Sequence, residues 1–263
     1  RGLGGVWDAP FELRRQFVDE GDPDPPEFVE PPDERLASDV DPDQVLGIAH
    51  AYAGQVTLLD DCLGALLDAW DALAMANTAL ADETALLVTS PRGYPTGEHG
   101  RVGPCDHALY GELLHVPWLM RLPNQRGAAV RSQSFVQPAD LGVTVLIWCG
   151  GSLEDASVWG LNTWPLADED RIPWRDRAAT AAIAQRAFRT PAWFLRESGA
   201  AAASVCELFA KPDDRNEVNQ VADRCEEVNK LMGEALNAFQ QAAGIGQPCQ
   251  LAPLPESLVE DFE

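Results

Sequence analysis

The sequence predicts an α/β fold: part of a large sheet flanked by helices, then a small antiparallel C-terminal sheet packed with a terminal helix. Three observations carry this. A long apolar stripe at helical spacing begins at Asp41-Pro42. A short apolar run, Ala85–Thr89, follows it and ends in a loop dense in Gly and Pro. The last third holds short apolar runs with turn-like separators. With 263 residues, 46% of them hydrophobic, the chain can bury a substantial core.

Taken in order, Trp7–Glu20 reads as a short helix with Pro10 tolerated in its first turn. The Pro-rich stretch from Gly21 to Glu34 excludes regular helix and central strand, so 21–35 is expected to be an extended acidic surface loop. At Asp41-Pro42 a capping carboxylate precedes proline at the first helical position. Val45, Ile48, Tyr52, Val56, Leu59, Leu63, Leu66, Trp70 and Leu73 then follow at three- and four-residue steps. They predict a helix over 41–76, about 45 Å or more in length, whose stripe faces the core. His50 reads as a packed or edge histidine. Residues 77–84 read as a turn, and Ala85–Thr89 as a buried strand of a parallel sheet.

Chemistry in open α/β sheets sits in loops leaving the carboxyl ends of strands, which singles out Ser90–His107. Val116–Leu122 is a second strand, and Pro138–Trp148 a helix closing at Gly150-Gly151. Runs at 182–189, 193–196 and 206–209 predict the small antiparallel sheet. Val221–Ala243 predicts the terminal helix, and the Pro-containing tail after it should fray. This gives two parts: 1–150, the later part of the α/β domain, and 151–263, a small α+β subdomain.

Charge excludes one class of partner. Nineteen Lys+Arg against 42 Asp+Glu give a net charge of −23, which repels phosphate backbones and argues against nucleic acid. No apolar run approaches the roughly 20 residues of a membrane span. The six cysteines, Cys62, Cys105, Cys149, Cys206, Cys225 and Cys249, form no C-x-x-C pair. Their spacing fits free thiols or one or two bridges, and buried free thiols are the simpler reading. The chain opens at Arg1 rather than Met, so a true N-terminus and any signal peptide are expected upstream.

The order of pieces resembles the later portion of a sulfatase of the alkaline phosphatase superfamily. A-Y-A-G-Q-V-T-L-L-D-D-C-L-G-A-L-L-D-A resembles the family's long helix. T-S-P-R-G (Thr89–Gly93) and G-E-H-G (Gly97–Gly100) stand where the family has T-S-D-[HN]-G and a G-E-H-G-type loop. H-V-P-W-L-M-R-L-P (His115–Pro123) is similar to R-V-P-L-I-V-R-L-P, and V-Q-P-A-D-L-G-V-T-V-L (Val136–Leu146) to S-L-V-D-L-A-P-T-L-L. R-A-F-R-T (Arg186–Thr190) and C-E-L-F (Cys206–Phe209) resemble two further elements. The resemblance implies a sulfatase-like sheet and sulfuric ester hydrolysis by a formylglycine nucleophile made in C/S-x-P-x-R. It also implies a divalent metal, usually calcium, held by an early D-D pair and by the S-D-[NH]-G loop.

The chain departs from that pattern twice. It contains no C-x-P-x-R or S-x-P-x-R, and Cys105 in P-C-D-H-A follows the strand instead of preceding it. The family's loop ligands correspond to Pro91 and Arg92. Proline offers no side-chain oxygen, and arginine has five donors and no acceptor. A guanidinium beside a divalent cation would repel it by several kcal/mol at intermediate dielectric. The expectation is a chain with no catalytic residue and no cofactor.

Arg92 could instead stand in the cation's place and hold a sulfate, with Gly93, His99, Arg101 and His107 completing a remnant anion-binding loop. Each of these also reads as an ordinary loop residue. Glu98 could cap its turn or pair with Arg101, and Asp106 could rebuild a ligand set. Sulfate esters or sulfated glycans are the expected partners. Apolar surface on the long helix and on Leu86–Val88 predicts self-association, unless an upstream segment or a partner covers it.

Overall fold

A computed structural model describes residues 3–153, 159–168, 175–199, 205–244 and 251–260. The chain divides into two compact units, Arg1–Ala85 with Arg92–Ala108, and Leu86–Pro91 with Leu109–Glu263.

In the first unit, α1 covers only Phe11–Arg14 and a tight turn follows over Arg15–Phe17, shorter than the helix expected over Trp7–Glu20. Extended Pro10 caps it, and Trp7 pairs instead with the acidic loop: Trp7 N donates to Phe28 O at 2.8 Å and Phe28 N to Trp7 O at 3.2 Å. Arg14, nearly buried, ties that loop down. It donates to Ala9 O (2.8 Å), Pro25 O (2.7 Å) and Glu27 Oε1 (2.7 Å). The loop, extended as its prolines require, ends in β1, Glu34–Arg35.

Helix α2, Pro42–Ala76, starts where the sequence places it, with Asp41 Oδ1 accepting from Asp43 N at 3.0 Å. Its 35 residues span roughly 50 Å. Gly54 lets α1 approach closely, since a Cβ there would lie 2.6 Å from Arg14 Cα. Trp7, Ile48, Ala51 and Val102 form the buried core with Phe28, Leu36, Tyr52 and Tyr94 packed on it. The stripe of α2 is core only in its first part. Beyond Gln55 no residue of the helix is buried, and Leu66 and Leu73 are 60% and 57% exposed. Residues 78–83 are a helix, α3 (Thr78–Glu83), and not the expected turn. One extended residue, Asn77, interrupts the chain, and the helix-favouring A-L-A-D-E then resumes.

In the second unit, β2 (Leu86–Thr89) pairs with β4 (Trp118–Arg121) from Leu86↔Arg121 to Thr89↔Trp118. β3, Arg101–Val102, belongs to the first unit, while α4, Gly111–Leu114, precedes β4 in the second. The pairing is antiparallel and β2 is half-buried, which corrects the parallel buried strand expected from the preceding long helix. Helix α5, Ala139–Trp148, closes as expected, with Gly150 at φ +80° and Gly151 N donating to Leu146 O at 2.9 Å. Fully buried Asp140 anchors it, accepting from Gln137 N, Leu161 N and both terminal nitrogens of Arg175, each at 2.7 Å.

The C-terminal sheet is antiparallel in the order β5 (Ala178–Ala182), β6 (Gln185–Arg189), β7 (Trp193–Ser198), β8 (Val205–Ala210). The single run read over 182–189 is a hairpin, because Ala184 turns at φ +57° without a glycine to mark it. Helix α6, Glu226–Gly244, lays Met232 and Leu236 against Phe188, Trp193, Leu195 and Leu208. The described tail is not frayed: Leu258 is fully buried in this core and Trp193 Nε1 donates to Ser257 O at 2.9 Å. Residues 261–263 lie outside the described residues.

Cys62 and Cys149 are exposed and Cys105, Cys206 and Cys225 half-buried, all as free thiols, so none is the buried thiol expected; Cys249 lies outside the described residues. Among the described residues no helix is long and apolar enough to cross a membrane.

Candidate functional site

The loop after β2 is built mainly from backbone. β1 and β3 pair antiparallel through Glu34↔Val102 and Arg35↔Arg101, and Leu36 N extends the ladder to Gly100 O at 2.9 Å. Gly103 N reaches Pro95 O at 2.9 Å, closing 95–103 into a turn. Gly97 sits at φ +140°, and a Cβ there would stand 2.4 Å from Val45 Cγ1 on α2. Gly103 (φ +70°) passes as closely to Pro32 O. Glycine is thus required locally, whatever the loop binds.

Glu98 caps this turn: its carboxylate accepts from Thr96 N at 2.6 Å and from Thr96 Oγ1. Of the two roles open to Glu98, capping is the one in the structure. His99 is held at φ +51°, half-buried, and its carbonyl accepts from Arg101 Nη1 at 2.7 Å.

Arg101 is committed to Asp106. Its Nε donates to Asp106 Oδ1 at 3.1 Å, its side chain is only 13% exposed, and Arg35 Nε donates to Asp106 Oδ2 at 2.5 Å. Asp106 stands at φ +51° and also accepts from Ala108 N at 3.2 Å. Burial pushes its carboxyl up, but hydrogen bonds and positive charge from Arg101 and Arg35 outweigh this and hold it below the ordinary value. The same carboxylate raises the Cys105 thiol, after burial, the larger cause.

His107 is exposed at φ +49°. Gly93 is half-buried and Arg92 exposed beside Tyr94. Tyr94 stacks on Tyr52 at 5.5 Å and donates to Pro32 O. Burial lifts its phenol well above the usual range, Asp33 and Tyr52 add to this, and the charge of Arg92 opposes it.

The residues present do not fit a divalent cation. Pro91 and Arg92 supply no anionic oxygen, Asp106 is taken by two guanidinium groups, and no group of three or more His, Cys, Asp or Glu among the described residues could hold a metal ion. Sequence reasoning missed the Arg35–Asp106–Arg101 arrangement. Arg35 is 66 positions from Arg101 in the chain, and nothing local in E-R-L signals that it pairs with P-C-D-H.

No protein-family model matches the chain. Over 113 residues it is 27% identical to the multifunctional alkaline phosphatase superfamily protein PehA of Trinickia caryophylli, covering 43% of this chain and 21% of that protein. Its fold is similar to yidJ, a candidate sulfatase of Bacteroides fragilis, with TM-score 0.68 and 18% identity over 91% of this chain and 51% of the other. It is similar to BT33494S-sulf of Bacteroides thetaiotaomicron, a protein of glycosaminoglycan metabolism, with TM-score 0.61 and 18% identity over 86% and 49%. It is also similar to BT1596, a 2-O GAG sulfatase, with TM-score 0.64 and 15% identity over 78% and 45%. The chain therefore spans about half the length of the solved structures it matches, and about a fifth of the curated relative. Strand β2, its Gly-rich loop and the antiparallel C-terminal sheet with its terminal helix belong to a fold similar to that of these sulfatase structures.

Proposed function

We propose that this chain is the later portion of a sulfatase-like protein and does not itself hydrolyse sulfate esters through a bound metal. One observation carries the reading: Pro91 and Arg92 stand where the resemblance implies two oxygen ligands, so the loop brings a permanent cation to a cation's place. The absence of C-x-P-x-R or S-x-P-x-R from the chain supports it. The test is turnover of an aryl sulfate with and without calcium. No metal-dependent release of the phenol is expected; release abolished by a chelator contradicts the proposal.

A second reading keeps the loop as an anion-binding remnant for a sulfate ester or sulfated glycan. Exposed Arg92 favours it, as does the similarity to proteins named for glycosaminoglycan metabolism. Arg101 contributes less than its position promised, because its guanidinium is held on Asp106, which also accepts from Arg35. The anion would rest on Arg92, Gly93, His99 and His107. Sulfate should then raise the melting temperature, and Arg92→Ala should remove most of that rise. A rise that survives Arg92→Ala contradicts this reading. A third reading, a hydrolase active once an upstream portion is joined, requires metal ligands other than Pro91 and Arg92.

A further inference from the structure

Three residues donate to the Asp106 carboxylate. Oδ1 accepts from Arg101 Nε at 3.1 Å and from Ala108 N at 3.2 Å. Oδ2 accepts from Arg35 Nε at 2.5 Å, lies 3.3 Å from Arg101 Nε, and also meets Arg35 Nη2. All four residues belong to the first unit. Two guanidinium groups and a backbone N–H around one pair of oxygens are what holds a bound oxyanion by charge-assisted hydrogen bonds. Here the anion is a side chain of the same protein.

The donors are positioned by contacts other than the carboxylate. Arg101 Nη1 donates to His99 O at 2.7 Å and the side chain is 13% exposed, so its Nε stays aimed at the seat. Arg35 is set opposite Arg101 by the β1–β3 register, and its side chain is 67% exposed, which leaves the seat open to solvent on that side. Asp33 is the other carboxylate near these groups: the Cys105 thiol feels Asp106 and Asp33 as well as Arg101 and Arg35. With Asp106 seated, two cations face two carboxylates; with it withdrawn, two cations face one. Every donor is an N–H, which suits an anion that carries no proton of its own.

We propose that Arg35, Arg101 and the Ala108 amide form an oxyanion seat that Asp106 fills from within the chain, an autoinhibitory contact that a fully deprotonated anion such as sulfate must displace. The seat does not use Arg92, so it is separate from an anion held on the loop at Arg92 and Gly93.

The test is equilibrium dialysis of the whole chain against radiolabelled inorganic sulfate at fixed ionic strength. Asp106→Asn empties the seat of charge and keeps the backbone at φ +51°, which asparagine tolerates as aspartate does. Sulfate affinity should rise on the order of tenfold. Asp106→Ser should act in the same direction, so the test does not hang on the folding of one variant. Adding Arg35→Gln to Asp106→Asn restores the wild-type net charge and should remove the gain. Asp33→Asn, which deletes the same charge but leaves the seat filled, should raise affinity by about threefold or less. Repeating the titrations in Arg92→Ala separates the two sites: the gain should persist there, whatever Arg92→Ala does to the weaker wild-type binding. No gain in either Asp106 variant, a gain that survives Arg35→Gln, an equal gain from Asp33→Asn, or a gain lost with Arg92 would each overturn the proposal.

Discussion

Arg101 Nε lies 3.1 Å from Asp106 Oδ1, and Arg35 Nε lies 2.5 Å from the other oxygen of the same carboxylate. One acid thus holds β1, β3 and the turn after them together. Because the folded Asp106 ionises below its ordinary value, its contribution is present above the unfolded carboxylate range, near pH 4, and is lost as pH falls through the lower folded value. Asp106→Asn should lower the melting temperature at pH 7, and by progressively less as pH falls below the unfolded carboxylate range. Melting curves across that range check it; an equal drop at both ends contradicts the assignment.

Gly97 is the loop's tightest point. Gly97→Ala places a Cβ 2.4 Å from Val45 Cγ1 in a backbone region at φ +140°. The expected loss is about 1–3 kcal/mol by urea unfolding. A neutral Gly97→Ala would show that the loop does not pack on α2 in this way.

Asp140 and Arg175 form a bidentate pair with Asp140 fully buried. Removing one partner leaves the other charge uncompensated. Asp140→Ala should cost about 3–5 kcal/mol, more than an exposed pair such as Lys230–Glu234, worth about 0.5 kcal/mol. Parallel urea titrations of Asp140→Ala and Glu234→Ala test the contrast.

Leu258 is fully buried among Trp193, Leu208 and Met232. Leu258→Ala should cost about 2–5 kcal/mol. A tail that contributed nothing would leave the unfolding midpoint unchanged.

Local signals were the legible ones. Asp41-Pro42 announced the start of α2 because a cap and an N1 proline act within one turn, and Gly150 announced the end of α5 for the same reason. The direction of β2 was not legible, since its partner is a strand about 30 residues on and apolar content does not encode polarity. The tail looked free because its anchors, the Trp193 indole and the sheet core, lie some 60 positions upstream. The hairpin at Ala184 uses positive φ without glycine, so no turn residue marked it. In the candidate site, Pro91 and Arg92 were readable from side-chain chemistry alone. The sharing of Asp106 between Arg101 and Arg35 was not, because it depends on Arg35 across a strand pairing.

Calcium titration of the whole chain by isothermal calorimetry bears most directly on the central claim, that the turn at Pro91-Arg92 has exchanged a cation's ligands for a cation. The account predicts no saturable heat and no calcium-dependent rise in melting temperature. One-site binding that chelator reverses, with chelator-sensitive cleavage of an aryl sulfate beside it, would contradict it.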